Sequence, residues 1–291
     1  MSTSKFIVTT PARNEADFIG KTIESIICQT VLPLEWIIVD DGSTDDTARI
    51  VENAAGRHPW IRLIRLKNRG YRDLDSGVVD AIYAGLSHAR NDDYDFLFNI
   101  DADVVLGANF FEKLLEKFNV NHDLGIATGQ IYECSGNQLS KLRALPMAMT
   151  GPVKCWRRKC FQQIGGLVRG IGWDGIDCFK AMMLGWRAKT FADDDLKIVH
   201  LRAQGASQKN ICQAWIKRGR AHHFAGSHPL WVAASASYHL ASRPYGLGSL
   251  LMIIGYVKAL HFGLDQHDDQ TFRRHLRKWQ LKKLCEILRL V

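Results

Sequence analysis

The stretch FLFNIDADVVL, residues 96–106, decides how this chain is read. Phe96–Ile100 is a short, mostly apolar run that suits a buried strand, and two carboxylates two positions apart follow it at once. In extended backbone, residues i and i+2 point to the same side. Asp101 and Asp103 then offer hard oxygen ligands to one divalent cation, Mg²⁺ or Mn²⁺. Such an ion can bridge a diphosphate and neutralise it as a leaving group. The competing account is a solvated turn, since Asp is common in turns. What lies upstream weighs against it.

Working outward, strand and helix patterns alternate. Lys5–Thr10 reads as a strand that ends at Pro11, and Phe18, Ile19, Ile23, Ile26 and Ile27 follow at helical spacing. Trp36–Val39 is a second strand, ending in Asp40-Asp41-Gly42-Ser43. Asp45 and Asp46 are expected in the first turn of the next helix, where carboxylates favour the dipole. Ile61–Leu66 is a third strand and Gly77–His88 a helix before the fourth strand, Phe96–Ile100. This order implies a largely parallel sheet covered by helices on both faces. Ligands of such sheets bind beyond the carboxyl ends of the strands. Here those ends deliver Pro11-Ala12-Arg13-Asn14-Glu15, Asp40-Asp41 and Asp101-Ala102-Asp103 to one rim. Beyond about residue 130 the pattern loosens, until a further strand at Leu196–His200.

Several residues at this rim suit a nucleotide. Asp40 or Asp41 can accept hydrogen bonds from a base or ribose, or simply form a β-to-α loop with good N-caps. Glu15 suits ribose hydroxyls and Arg13 phosphate, or the pair marks a helix entry with an acidic first turn. Arg69 and Arg72, in the loop after the third strand, suit phosphate.

Taken together, TTPARNEADFIGKTIESIICQT (9–30), WIIVDDGSTDDT (36–47) and FLFNIDADVVL resemble the donor-binding half of the family 2 inverting glycosyltransferases. The resemblance covers about residues 5–200. It implies an α/β fold of the A-type (GT-A, Rossmann-like) nucleotide-diphospho-sugar transferases, with a central mixed, mainly parallel sheet and helices on both faces. It implies that Pro11, Arg13, Glu15, Asp40 and Asp41 meet the nucleoside, and that Asp101 and Asp103 face the diphosphate and the metal. Many relatives carry KNxG…AxNxG after the third strand; here KNRGYRDLDSGVVDAIYAGL (67–86) has Tyr83 where Asn is common. Further on, Gly165-Gly166-Leu167, Gly172-Trp173-Asp174-Gly175-Ile176-Asp177 and KAMMLGWRAKTF (180–191) align Asp174 with the family's general base. Trp173 replaces the usual acidic neighbour, and Asp177, one turn on, is the rival; alternatively Asp174 caps a helix over 175–184. In LKIVHLR (196–202), His200 resembles the family's extra metal ligand, although a lone His is more often structural.

The implied activity is inverting transfer of a sugar from a nucleotide-diphosphate donor to the hydroxyl of a carbohydrate or lipid-linked acceptor. Bacterial exopolysaccharide or cell-envelope glycan synthesis is the implied setting. The opposing class is a non-catalytic module that binds sugar nucleotides or nucleic acid. No recognised nucleic-acid motif accompanies the basic residues, no GxGxxG follows the first strand, and PARNEAD is not a triphosphate loop.

Composition bounds the rest. The 291 residues are 46% hydrophobic and 23% charged, with a formal net charge of +8, as befits an ordinary folded chain with affinity for anionic surfaces or phosphorylated substrates. The seven cysteines include no CxxC pair and read as reduced thiols. MSTSKFIVTTPARNE has no apolar signal-peptide core, so a cytoplasmic location is expected, with peripheral attachment at the inner face of the membrane as an option. A catalytic unit is expected over 1–205, its donor half 1–105 and its acceptor and base half 106–205, followed by a helical extension over 206–291. The uncharged run 244–257 is too short for a spanning helix of about 20 residues. Residues 272–291 form an amphipathic pattern, with Phe272, Leu276, Trp279, Ile287 and Leu290 near one face and basic residues opposite. Such a helix lies on an anionic membrane or packs on the domain.

Overall fold

The computed structural model describes residues 4–73, 75–135, 138–142, 151–202, 211–241 and 244–289. Its first half alternates as expected: β1 (Phe6–Ala12), α1 (Ile19–Ile27), β2 (Glu35–Asp40), α2 (Thr47–Ala55), β3 (Ile61–Arg65), α3 (Gly77–Ser87) and β4 (Phe96–Ile100). The second half adds β5 (Val104–Leu106), α4 (Phe110–Val120), β6 (Leu124–Ser135), β7 (Gln138–Lys141), β8 (Val153–Arg157), α5 (Arg158–Gln163), α6 (Trp173–Met183), β9 (Arg187–Phe191) and β10 (Lys197–His200). Four helices close the chain: α7 (Ile211–Phe224), α8 (Pro229–Tyr238), α9 (Leu247–His261) and α10 (Gln270–Arg289).

The sheet runs β3-β2-β1-β4-β8-β6-β10-β5, with β7 and β9 paired to β6. β1 to β4 are parallel; β8 is antiparallel to both β4 and β6, so the sheet is mixed. Alternate strand residues feed two cores. Phe6, Val8, Trp36, Ile38 and Phe98 pack with Ile19, Ile23 and Ile26 of α1 and Phe111 and Leu114 of α4. Ile7 and Leu97 face the other way, toward Val79 and Ile82 of α3, Trp156 and Cys178. A strand buried on both faces reads as a continuous apolar run, which is why FIV, WIIV and FLF carried the fold. α3 approaches closely because Gly85 faces β2: a Cβ there would stand 3.1 Å from Val39 Cγ2.

Two expectations are corrected. β1 runs through Pro11 to Ala12, because the β4 ladder ends at Thr9 and Pro11 pairs only toward β2, where its missing N–H leaves no β4 partner wanting. Asp45 and Asp46 precede α2 instead of filling its first turn. The Asp45 carboxylate accepts from the N–H groups of Thr47 and Ala16, tying the loop after β2 to the loop after β1.

The C-terminal helices pack onto α6. Phe272 and Leu276 of α10 are buried beside Ile176, and Trp279 packs edge-on against Phe179 and Trp231. The apolar side of 272–291 is therefore covered by the domain over its first turns; Leu290 lies outside the described residues. α7 and α9 cross at two glycines: a Cβ on Gly219 would stand 1.9 Å from Met252 O, and one on Gly255 would stand 2.1 Å from Ile216 O. Among the described residues no helix is long and apolar enough to cross a membrane.

Candidate active site

A cavity of about 260 Å³ opens where the carboxyl ends of β1, β2 and β4 meet α6, α7 and the end of β10. Of the twelve residues singled out from sequence, nine line it: Pro11, Arg13, Glu15, Asp41, Arg72, Asp101, Asp103, Asp174 and His200. The floor is built by loop geometry. Asn14 takes a left-handed φ of 54°, which Asn tolerates better than most side chains. Its Oδ1 accepts from the Thr44 N–H. Arg13 donates to the Asp41 carbonyl and, at 2.8 Å, to Asn68.

The other three fall elsewhere. Arg69 makes a two-pronged pair with Asp41, both bonds 2.7 Å, and is not part of the lining. Asp40 turns back to accept from the Ser43 N–H at 2.8 Å, as a loop cap would. Asp177 is buried behind the cavity wall.

The carboxylates around Asp101 are crowded. Burial, and then the neighbouring Asp103 charge, push the Asp101 carboxyl up to about 8. Burial also works against ionised Asp103, but His200 Nε2 at 3.0 Å and Arg202 Nε at 2.5 Å outweigh it and hold that carboxyl below its usual value. Arg202 also reaches Glu15 at 2.7 Å, and Arg72 reaches the same oxygen at 3.3 Å. Burial raises the Glu15 carboxyl despite both. Among the described residues, Glu15 Oε2 and His200 Nδ1 are buried with no hydrogen-bond partner.

Whether a divalent cation suits this corner follows from the donor set. Among the described residues no three His, Cys, Asp or Glu side chains close on one ion, so this is not an all-protein cage. Two carboxylates beside a diphosphate are the usual arrangement for Mg²⁺, which keeps water and substrate oxygens as its remaining ligands. Burial first and the Asp103 charge second raise the Asp101 carboxyl, and a positive charge beside the pair would favour its ionised form. Asp101 and Asp103 thus fit the group, with His200 already against Asp103.

Asp174, also in the lining, occupies the first turn of α6. Gly172, at φ 78°, is the N-cap, so Asp174 does not cap the helix. Burial and then the nearby Asp177 charge raise its carboxyl, opposed by Lys154. Asp177 has a different task. Its oxygens receive Lys154 Nζ at 3.1 Å each and Trp156 Nε1 at 2.8 Å, and both Lys154 and Asp177 are almost fully buried. Lys154 also donates to the Asp174 carbonyl, which anchors the start of α6.

Sequence reasoning missed Arg202, Asp73 and Lys217 in the lining. Arg202 follows His200 by two, and strand periodicity would have placed it on the same side. Lys217, from α7, comes from beyond the expected boundary at 205, so the helical extension forms part of the cavity. Tyr83, which departs from the family pattern, has a mechanical role: its hydroxyl accepts from the Leu167 N–H at 2.7 Å and donates to the Leu167 carbonyl at 3.0 Å. Gly166, at φ 74°, leaves room for it, since a Cβ would stand 2.3 Å from that hydroxyl.

Comparison with known proteins identifies the family and the fold. The profile of glycosyl transferase family 2 matches residues 7–187. Chondroitin synthase of Escherichia coli is 39% identical over 87 residues, 30% of this chain and 12% of that protein. A glycosyltransferase of Streptococcus pneumoniae is 27% identical over 133 residues, 45% of this chain and 41% of that protein. The chain thus spans less than half of these curated relatives. Among solved structures, a mannosyltransferase of Pyrobaculum calidifontis in complex with GDP-Man and Mn²⁺ superposes with a TM-score of 0.60 at 18% identity, covering 89% of this chain and 88% of that one. TarS of S. aureus, residues 1–349 with UDP-GlcNAc, superposes with a TM-score of 0.56 at 16% identity, covering 90% and 73%. At these identities the structures speak to the shared fold.

Proposed function

The chain belongs to glycosyl transferase family 2, and from that premise we propose that it transfers a sugar, with inversion, from a nucleotide-diphosphate donor to the hydroxyl of a carbohydrate or lipid-linked acceptor. The observation that carries this reading is that one cavity is lined both by the Asp101–Asp103 pair and by Asp174. The nucleoside lies over the ends of β1 and β2, against Pro11, Arg13, Glu15 and Asp41. Asp101 and Asp103 would hold a divalent cation, which would screen the charge of the departing diphosphate. Arg72 and Arg202 are placed to bind its oxygens.

Asp174 receives the acceptor proton. As it does, the acceptor oxygen bonds to the anomeric carbon from the side opposite the diphosphate, and the bond from that carbon to the diphosphate oxygen breaks. A carboxyl raised by burial is a better proton acceptor than an exposed one. Trp173, beside Asp174 in the lining, offers an aromatic wall for an acceptor sugar.

The test is a panel of nucleotide sugars assayed for acceptor-dependent release of nucleoside diphosphate, with the anomeric configuration of the product read by NMR. One donor should stand out and the product should be inverted. A retained configuration, or no turnover with any donor while one binds, overturns the reading in favour of another mechanism or of a non-catalytic sugar-nucleotide module.

A further inference from the structure

The positive charge of this chain is concentrated in one region. From residue 196 to the end there are fifteen Lys and Arg against four Asp and Glu, whereas the chain as a whole has 38 against 30. Residues 196–264 contain no carboxylate side chain at all. Within this cationic region, α9 leaves one side bare. Its buried side, with Gly248, Met252, Gly255, Tyr256 and Ala259, packs on α7 and α8. Leu247 (46% exposed), Leu250 (54%), Ile253 (39%), Val257 (52%) and Leu260 (58%) recur at intervals of three and four on the opposite side. Tyr245 (67% exposed) stands before the first turn and Phe262 (71%) just after the last. Contiguous apolar rows of this size mark a docking surface.

We propose that this side of α9 seats on an anionic lipid bilayer, with the helix lying in the plane of the interface. Three observations choose this occupant. The layer formed by α7, α8 and α9 carries Lys217, Arg218, Arg220 and Lys258 and no carboxylate side chain, so a second copy of this chain seated on it would bring like charge against like. The helix has 15 residues, about 22 Å at 1.5 Å per residue, too short to cross about 30 Å of hydrocarbon. Leucine, isoleucine and valine in the row, with a Tyr and a Phe at its ends and the exposed Lys258 beside Val257, suit an interfacial helix. α10 is not that helix, because Phe272 and Leu276 are spent on packing against Ile176.

The surface is also linked to the cavity. α7 packs along the buried side of α9 and supplies Lys217 to the cavity lining. Two helices, α9 and α7, about 20 Å together, therefore separate the bilayer from the site. The inference does not depend on the transferase reading, and its test involves no turnover.

The experiment uses the full chain with vesicles of phosphatidylcholine alone, and of phosphatidylcholine with phosphatidylglycerol, followed by co-sedimentation. The variants are a triple, Leu250→Ser, Val257→Ser and Leu260→Ser, and a double, Ile287→Ser and Leu288→Ser, at the exposed tip of α10. All substituted side chains are exposed, and unchanged melting checks that both variants fold. The parent should bind the anionic vesicles and lose most of that binding in high salt. The triple should bind at least tenfold more weakly, and the double as the parent does. Equal binding by parent and triple refutes the proposal, as does loss in the double alone. Failure of the parent to bind anionic vesicles also refutes it. A vesicle-free dimer that the triple abolishes would instead assign the surface to a second copy.

Discussion

Exchanging Asp174 and Asp177 for Asn, one at a time, should separate folding from transfer. Lys154 is 2% exposed and Asp177 1%, and the ammonium has no other side-chain carboxylate among its hydrogen-bond partners. Removing one partner of a buried ion pair costs about 3–5 kcal/mol, because the remaining charge is left in a medium that cannot solvate it. The amide of Asp177→Asn still offers one oxygen to Lys154 and Trp156, which places the expected loss near the lower end, about 3 kcal/mol. In a chain of this size each kcal/mol moves Tm by about 2–4 °C, so melting should fall by about 6–12 °C. Asp174→Asn removes a carboxylate whose ionised form is already penalised by burial. Its stability should stay within about 1 kcal/mol of the parent, while transfer falls by about 10²–10⁴-fold as the proton acceptor is lost. Calorimetry with the donor should give near-parental affinity for Asp174→Asn, since a base acting on the acceptor alone affects kcat far more than donor binding. Thermal melting, donor calorimetry and transfer assayed well below both Tm values decide the matter. If Asp177→Asn melts like the parent and is dead, while Asp174→Asn transfers normally, the roles assigned across α6 are reversed.

Three further outcomes follow from the same geometry. Excess EDTA should abolish nucleoside-diphosphate release and Mg²⁺ or Mn²⁺ should restore it, while Asp103→Ala should lose turnover and weaken donor binding; full activity in EDTA would contradict the role given to Asp101 and Asp103. Burial, helped by the Arg218 charge, depresses His222 to about 4. The stability it contributes is therefore present above its unfolded value near 6.5 and is lost as pH falls through 4, by about 2 kcal/mol after allowance for partial exposure; melting curves from pH 7 to 4 should show this slope, and His222→Gln should flatten it. Tyr83→Phe removes both hydrogen bonds to the Leu167 backbone and should cost about 1–2 kcal/mol in denaturant melts, and an unchanged midpoint would show that the clamp contributes nothing.

The fold was legible where strands are buried on both faces and end in charge. Phe96–Ile100 was placed to the residue, and the other three parallel strands within two residues at either end. Helix starts were harder. Asp45 and Asp46 looked like a first turn because carboxylates favour that position, but the Asp45 side chain satisfies N–H groups on two loops and holds Thr47 as the first helical residue. The amphipathic pattern at 272–291 was correctly seen as two-sided, yet periodicity shows only that one side is apolar and not what covers it. Ile176, Phe179 and Trp231, which cover it here, lie 41 or more residues away in the chain. For the same reason the bare side of α9 was hidden inside an uncharged run that also includes buried Met252 and Gly255.

At the site, carboxylates were legible and their counter-cations less so, and the asymmetry is physical. Asp101, Asp103 and Asp41 sit at strand ends, where local sequence fixes both position and direction. Lys217 reaches the cavity from α7, beyond the last strand, so only tertiary contact reveals it. With every lining residue counted, six carboxylates face four Lys and Arg and one His. The cations are partly engaged already: Arg72 and Arg202 by Glu15, Arg202 again by Asp103, and Lys217 by Asp75 at 3.6 Å. A diphosphate entering this cavity adds further negative charge to a lining that is short of positive charge. It can bind only by drawing arginines off their carboxylates, which leaves Glu15 and Asp103 exposed to each other, or by arriving with a cation of its own. Asp101, held protonated to about 8 by burial and by Asp103, is the point where that deficit is greatest. A divalent ion held there by Asp101 and Asp103 would offset the carboxylate repulsion and the phosphate charge together, leaving Arg72 and Arg202 available to the donor. On this reasoning metal and donor should bind with positive coupling, each weakening markedly when the other is withheld, and calorimetric titrations in both orders of addition would measure it; independent binding would mean that the arginines alone meet the phosphate charge.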